Sequence, residues 1–218
     1  MSDTAELPRQ RHLRADASRN RERIVDAART AFVDHGPDVP LDEIARRAGV
    51  GNATLYRHFA DRKDLIQQVT LASMDRIAEE AEAALAEEED PFQALRRFVH
   101  RAADERIGSL CPLLSEGFDK SDPEVVRMRD RLDAAILAVM ESARQAGKLR
   151  EDVAAGDLMV ALTQLTRPLP GMMCDGIDRY VHRHLQIFLD GLQAPARSEL
   201  PGSPATFEDL AQPQDGAM

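Results

Sequence analysis

Residues 41–65 read LDEIARRAGVGNATLYRHFADRKDL, and this stretch decides the fold. Ile44, Ala45 and Ala48 recur at helical spacing, which predicts a short helix over Leu41–Ala48. Gly49-Val50-Gly51 predicts a turn, and Asn52–His58 a second short helix. Two short helices joined by a glycine-containing turn form a helix-turn-helix. Each part has a steric reason. Ala45 is small where the second helix crosses the first, and Gly49 supplies the backbone angle of a tight turn. Ile44, Ala48, Val50 and Leu55 form a miniature core that sets the angle between the helices. Asn52, Ala53, Thr54, Tyr56, Arg57 and His58 are then left outward, a short, polar, aromatic and basic set suited to a major groove.

Upstream, a helix is expected to begin near Ser18 or Asn20, both good N-caps. Ile24, Ala27, Ala28, Ala31 and Phe32 share its inner face, and Gly36-Pro37 stop it. Residues 1–17 read as a flexible basic arm, whose Arg9, Arg11 and Arg14 are candidates for minor-groove contact. Downstream, Asp61 caps a longer helix reaching about Ala86. Asp90-Pro91 and Asp122-Pro123 open two more helices, with proline at the first helical position. Residues 108–121 form an irregular apolar segment, and two final helices span about 155–165 and 177–192. Residues 194–218, rich in Pro, Gly, Ser and acids, read as a disordered tail. No segment alternates with strand period. The expected fold is therefore all-α: a three-helix DNA-binding domain over residues 18–64, then a helical domain over 65–193.

The net charge of -10 taken alone argues against nucleic acid. Its distribution reverses that. Residues 1–64 carry 12 Lys+Arg against 11 Asp+Glu, whereas the remainder carries 16 against 27. Residues 9–23 hold 6 arginines and only 2 acids, Asp16 and Glu22. The acidity lies in the C-terminal part, and the N-terminal edge is basic. No apolar run reaches the roughly 20 residues of a membrane span, and the N-terminus has no secretory pattern. Cys111 and Cys174 are too few for a disulfide framework or a cysteine metal site. A cytoplasmic protein with no membrane partner is expected.

The order of helix, GVGNATLYRHF and the capped ADRKDL resembles the TetR regulator family, as does RERIVDAARTAFVDHG in the first helix. The likeness covers roughly residues 20–69. It implies a homodimer that binds double-stranded operator DNA and answers to a small-molecule effector, with no cofactor and no enzyme activity. Position by position, Gly51, Asn52, Ala53 and Thr54 fall where the recognition helix meets DNA. Asn52 is suited to adenine and Ala53 to a thymine methyl. Tyr56 and His58 fall on positions that touch phosphates or nearby bases. Arg62 matches a phosphate-gripping lysine with Lys63 beside it, Arg57 points outward, and Arg47 or Arg46 adds a phosphate contact. The chain departs from the pattern at Pro40, where the family often has Thr, and at Gly51, where it often has Ser.

The C-terminal two-thirds carries no motif. By resemblance it should enclose an effector cavity, for which Met74, Phe98, His100, Leu110, Cys111, Leu114, Phe118, Met128, Leu132, Gln164 and Arg167 are candidates. The last two helices should pair with their mates in the dimer, through Leu158, Met159, Leu162, Leu185 and Phe188. His182 and His184 stand two apart and so lie on different helix faces, which argues for surface or interface histidines over a metal pair. No nucleophile–base set or metal-ligand cluster suggests an enzyme. A nucleoid-type DNA binder without an effector is the alternative.

Overall fold

A computed structural model describes residues 6–106, 119, 121–167 and 178–211; for residues 6–15, 178, 179 and 211 it describes the backbone only. The described residues form helices joined by turns, and the only strand-like feature among them is an isolated bridge between Leu149 and Gln193. They fall into two compact units, one running through Ala72 and including Asp119, the other comprising the remainder from Ser73.

The first unit opens with α1, Glu6–His35. The helix thus begins well before Ser18, and the flexible arm expected over residues 1–17 is helical from Glu6 onward. The reason is local. Residues 6–17 are mostly good helix formers, and Pro8 sits in the first turn, where its missing N–H is no loss. Ile24, Val25, Ala28, Ala31 and Phe32 form the buried face of α1. Gly36 ends it in the left-handed region at φ 82°. Helices α2 (Leu41–Ala48) and α3 (Asn52–His58) follow as predicted and pack on α1 and on each other.

Helix α4, Arg62–Glu87, begins in the first unit and ends in the second. Its start is fixed reciprocally: Asp61 accepts from the Asp64 N–H at 2.9 Å, and Asp64 accepts from the Ala60 N–H at 2.9 Å. Leu65, Ile66 and Val69 are buried within the first unit. The division between units therefore lies at residues 72 and 73, not at 64 and 65 as expected.

The second unit adds α5 (Pro91–Asp104), α6 (Pro123–Gln145), α7 (Ala155–Leu165), α8 (Asp178–Leu192) and the short α9 (Phe207–Ala211). Asp90 and Asp122 cap α5 and α6, each with proline in the first turn. Their caps bear out the sequence expectation. Phe92, Leu95, Phe98 and Val99 of α5 meet Ile136, Val139 and Met140 of α6 in a common core with Leu158 and Leu162 of α7 and Leu185 and Leu189 of α8.

The tail expected to be disordered over 194–218 is instead built into this unit as far as Ala211; residues 212–218 lie outside the described residues. Two anchors hold it. The buried Arg150 guanidinium pairs with Asp152 at 2.6 Å and donates to the Ser198 carbonyl at 2.8 Å. Asp157 accepts from the Ala154 N–H at 2.8 Å and, through its other oxygen, from the Ala205 N–H at 3.1 Å. Phe207 packs against the core. A polar composition concealed the one aromatic and the few backbone groups that find partners.

Candidate nucleic-acid interface

Helices α2 and α3 meet at Gly49, whose φ of 64° and ψ of 35° place it in the left-handed region. That conformation lets Gly49 N–H reach the Arg46 carbonyl at 3.1 Å and Val50 N–H reach the Ala45 carbonyl at 3.0 Å, closing the end of α2. Arg23, from α1, donates to the Ala48 carbonyl at 2.5 Å. A cation there complements the negative end of α2. A Cβ on Gly49 would lie 2.7 Å from Arg23 Nη2, the end of a flexible side chain that would have to shift, while the left-handed backbone is what favours glycine here.

The α3 helix is anchored from below. Ile44, Ala45, Ala48 and Leu55 are buried, and Phe59 just after α3 is fully buried with the Arg21 guanidinium 5.3 Å from its ring centre. The miniature core expected from the sequence is therefore present, with Val50 half-buried at its rim.

What α3 leaves outward is the predicted set. Gly51, Asn52, Ala53, Tyr56 and Arg57 are exposed, Tyr56 to 54%; Thr54 and His58 are half-buried at the edges. Lys63, in the first turn of α4, is exposed as well. Three candidates have partners that sequence reading missed. Arg62 donates to the Pro37 carbonyl at 2.6 Å, tying α4 to the turn after α1. Arg47 donates to Glu43 at 2.8 Å and lies 2.6 Å from His35 Nε2 and 3.6 Å from Asp34. It thus tethers α2 to the end of α1. Asn52 donates to Asp42 Oδ1 at 2.8 Å. The Glu43 carboxyl is held below the usual carboxylate range by hydrogen bonds from Arg47 and Arg46.

Asp42 and Arg23 drew no notice in the sequence. Asp42 passes for an ordinary acid in a first helical turn, and Arg23 lies 25 residues from the carbonyl it caps.

The candidates in the second unit converge less well. Phe98 is fully buried, Leu132 is buried, and Met74 and Met128 are half-buried, Met74 against the same core. Gln164 and Arg167 are exposed. Leu110, Cys111, Leu114 and Phe118 lie outside the described residues, as does Cys174. His100 of α5 faces His182 of α8, with 2.9 Å between their Nδ1 atoms. His182 Nε2 lies 3.1 Å from Asp104, and His100 Nε2 lies 3.4 Å from Gln186 Oε1. His184 instead turns to the Tyr180 carbonyl at 2.8 Å.

Three of the five expected dimer contacts need a correction. Leu158, Leu162 and Leu185 are exposed by 1% or less and belong to the chain's own core, and Met159 and Phe188 pack half-buried against it. The apolar residues that α7 and α8 leave open are Val160, at 43% exposure, with Tyr180 and Ile187 at 47% and 59%.

Residues 24–69 match the family model for bacterial regulatory proteins of the tetR family, and residues 90–194 match the C-terminal domain of SbtR-like transcriptional regulators. A TetR transcriptional regulator from Streptomyces coelicolor is similar in structure, with 31% identity, a TM-score of 0.61, and coverage of 81% of this chain and 99% of that one. A TetR regulatory protein from Mycobacterium vanbaalenii is similar at 33% identity and a TM-score of 0.60, over 83% of this chain and 99% of that one. An uncharacterised helix-turn-helix regulator of Pseudomonas putida is 46% identical over 56 residues, 25% of this chain and 42% of its own length. A Staphylococcus aureus regulator of the same type is 39% identical over 64 residues, 29% of this chain and 35% of its own length. The match thus spans less than half of either curated relative.

Proposed function

The chain belongs to the TetR family of bacterial regulatory proteins, and from that membership we propose that it is a dimeric, sequence-specific transcriptional repressor that a small-molecule effector releases from its operator. One observation carries the reading. The α2–turn–α3 unit buries Ile44, Ala45, Ala48 and Leu55 while holding Asn52, Ala53, Tyr56 and Arg57 together on its open side. A helix so presented fits the major groove, and two of them, one per protomer, read two half-sites of a near-palindrome about 34–36 Å apart. Lys63 supplies a phosphate contact at the groove's edge, and Tyr56 another. Arg62, already bonded to the Pro37 carbonyl, has further N–H groups for a phosphate.

Residues 90–194 are the effector and dimer domain in this reading, acting in the cytoplasm. The effector and the operator weaken each other's binding by the same factor, because linkage between two sites is reciprocal. No enzymatic step is assigned to the chain.

Selection of bound sequences from a random duplex pool, at two salt concentrations, tests the proposal. A palindromic motif that persists at the higher salt is the expected result. Binding without a motif, lost steeply as salt rises, is phosphate attraction alone and overturns it in favour of a nucleoid-type binder.

A further inference from the structure

Asn52 is the first residue of α3, and its side-chain amide is already engaged: Nδ2 donates to Asp42 Oδ1 of α2 at 2.8 Å. A carboxamide offers a carbonyl on one side and an NH2 on the other, and an unrestrained one turns over by half a rotation to present either. Asp42 removes that freedom. Its carboxylate accepts and cannot donate, so only the NH2 side of Asn52 can face it. The carbonyl oxygen is left on the other side, with one N–H still unused. An acceptor beside a donor, in fixed order, complements the N6–H and N7 edge of adenine and mismatches guanine, which shows two acceptors there.

We propose that Asp42 is a specificity-determining residue: it reads no base itself but locks the Asn52 carboxamide in the orientation that reads adenine. The proposal rests on the DNA-binding reading above. An acid on this face opposes the phosphates, so it weakens binding to every sequence equally. The structure places it there nonetheless, hydrogen-bonded to a side chain of the recognition helix. Nearby Glu43 differs, since its charge is held by Arg46 and Arg47.

The two roles of Asp42 are read separately: non-specific binding reports its charge, and discrimination at one base pair reports its hold on Asn52. Asp42→Ala removes both the charge and the acceptor. Asp42→Asn removes the charge and puts a carboxamide there, which can present a carbonyl or an NH2 to Asn52 and so no longer fixes its orientation. The full-length chain and both variants are taken through selection from a random duplex pool, with circular dichroism to confirm the helical fold. The expected result for Asp42→Ala is tighter binding to non-specific duplex and a loss of about tenfold in discrimination at one base pair of each half-site. Asp42→Asn is expected to share the tighter non-specific binding and to lose most of the discrimination at the same base pair, because a carboxamide at 42 can face either side of Asn52. Asn52→Ala should lose discrimination at the same base pair, and adding Asp42→Ala to it should cost nothing further there. An unchanged motif in Asp42→Ala overturns the proposal. So does loss of the whole motif in a folded Asp42→Ala, which would make Asp42 a support for α3 at large. If the unaltered chain selects no motif, the DNA-binding reading itself has failed.

Discussion

Tyr56 on the recognition helix and Lys63 in the first turn of the next stand exposed, so their removal should alter DNA binding with little effect on folding. Tyr56→Ala is expected to weaken operator binding about tenfold, while unfolding free energy moves by no more than about 0.5 kcal/mol. Lys63→Ala should weaken all sequences alike and lower the salt slope of binding by about 1, the share of one phosphate. Fluorescence anisotropy across a salt series reads both; an unchanged slope for Lys63→Ala would remove it from the interface. Arg23 behaves oppositely. Arg23→Ala loses a charge-assisted bond at the end of α2 and should cost about 1–2 kcal/mol in urea unfolding. Gly49→Ala should cost about 1–2 kcal/mol from its left-handed backbone, plus the encounter with Arg23 Nη2. Because the first change removes that encounter, the double variant should lose less than the sum; strict additivity would show that the two do not meet. The outward set on α3 was legible in the sequence because it follows from seven consecutive residues and one glycine turn. Asp42 and Arg23 were not, since their roles depend on partners that only folding brings near.

At the scale of elements, α7 and α8 show why apolar periodicity underdetermines packing. One stripe of leucines serves equally well against a second subunit or against the chain's own core. The structure chooses the core for Leu158, Leu162 and Leu185, because α5 and α6 lie on that side. Leu185→Ala should therefore lower unfolding free energy by about 2–5 kcal/mol, as buried truncations do. Ile187→Ser, on the open face, should leave folding nearly unchanged and weaken self-association in sedimentation velocity. A dimer indifferent to Ile187→Ser would move the interface elsewhere. The contact between α5 and α8 also carries a pH dependence. Burial, with His182 and Arg96 adding to it, pushes the His100 imidazole below its ordinary value near 6.5. Below 6.5 the unfolded chain takes up a proton that the folded chain still refuses. The stabilising contribution is complete above that value and is lost as pH falls through the folded one. Thermal midpoints should drop on acidification from pH 7, and less so in His100→Gln. Equal slopes in the two proteins would assign the dependence to other groups.

Over the whole molecule, the charge asymmetry is one of acids: residues 1–64 carry 12 Lys+Arg against 11 Asp+Glu, and the remainder 16 against 27. The all-α class was readable from composition and period, and so were the proline-led starts of α5 and α6. The course of residues 194–211 was not, because the contacts that hold them are few and far apart in sequence. Gly156 tests that course. A Cβ there would lie 2.4 Å from the Ala205 carbonyl oxygen, a backbone atom that cannot step aside alone. Gly156→Val should release the tail while leaving most of the helical content intact. Exchange of the Ala205 amide, now bonded to Asp157, should quicken about tenfold for each roughly 1.4 kcal/mol by which its opening becomes easier. An unchanged amide would mean that the tail is held by other means.

That contact also binds the history of two distant sites together. A relative whose chain takes another course after α8 is at liberty to carry alanine or serine at the position of Gly156. A relative that keeps the strap is held to glycine there. A side chain on that one helical residue then reports, across a lineage, that no strap crosses it, and the gain of the strap must either follow or coincide with the loss of that side chain.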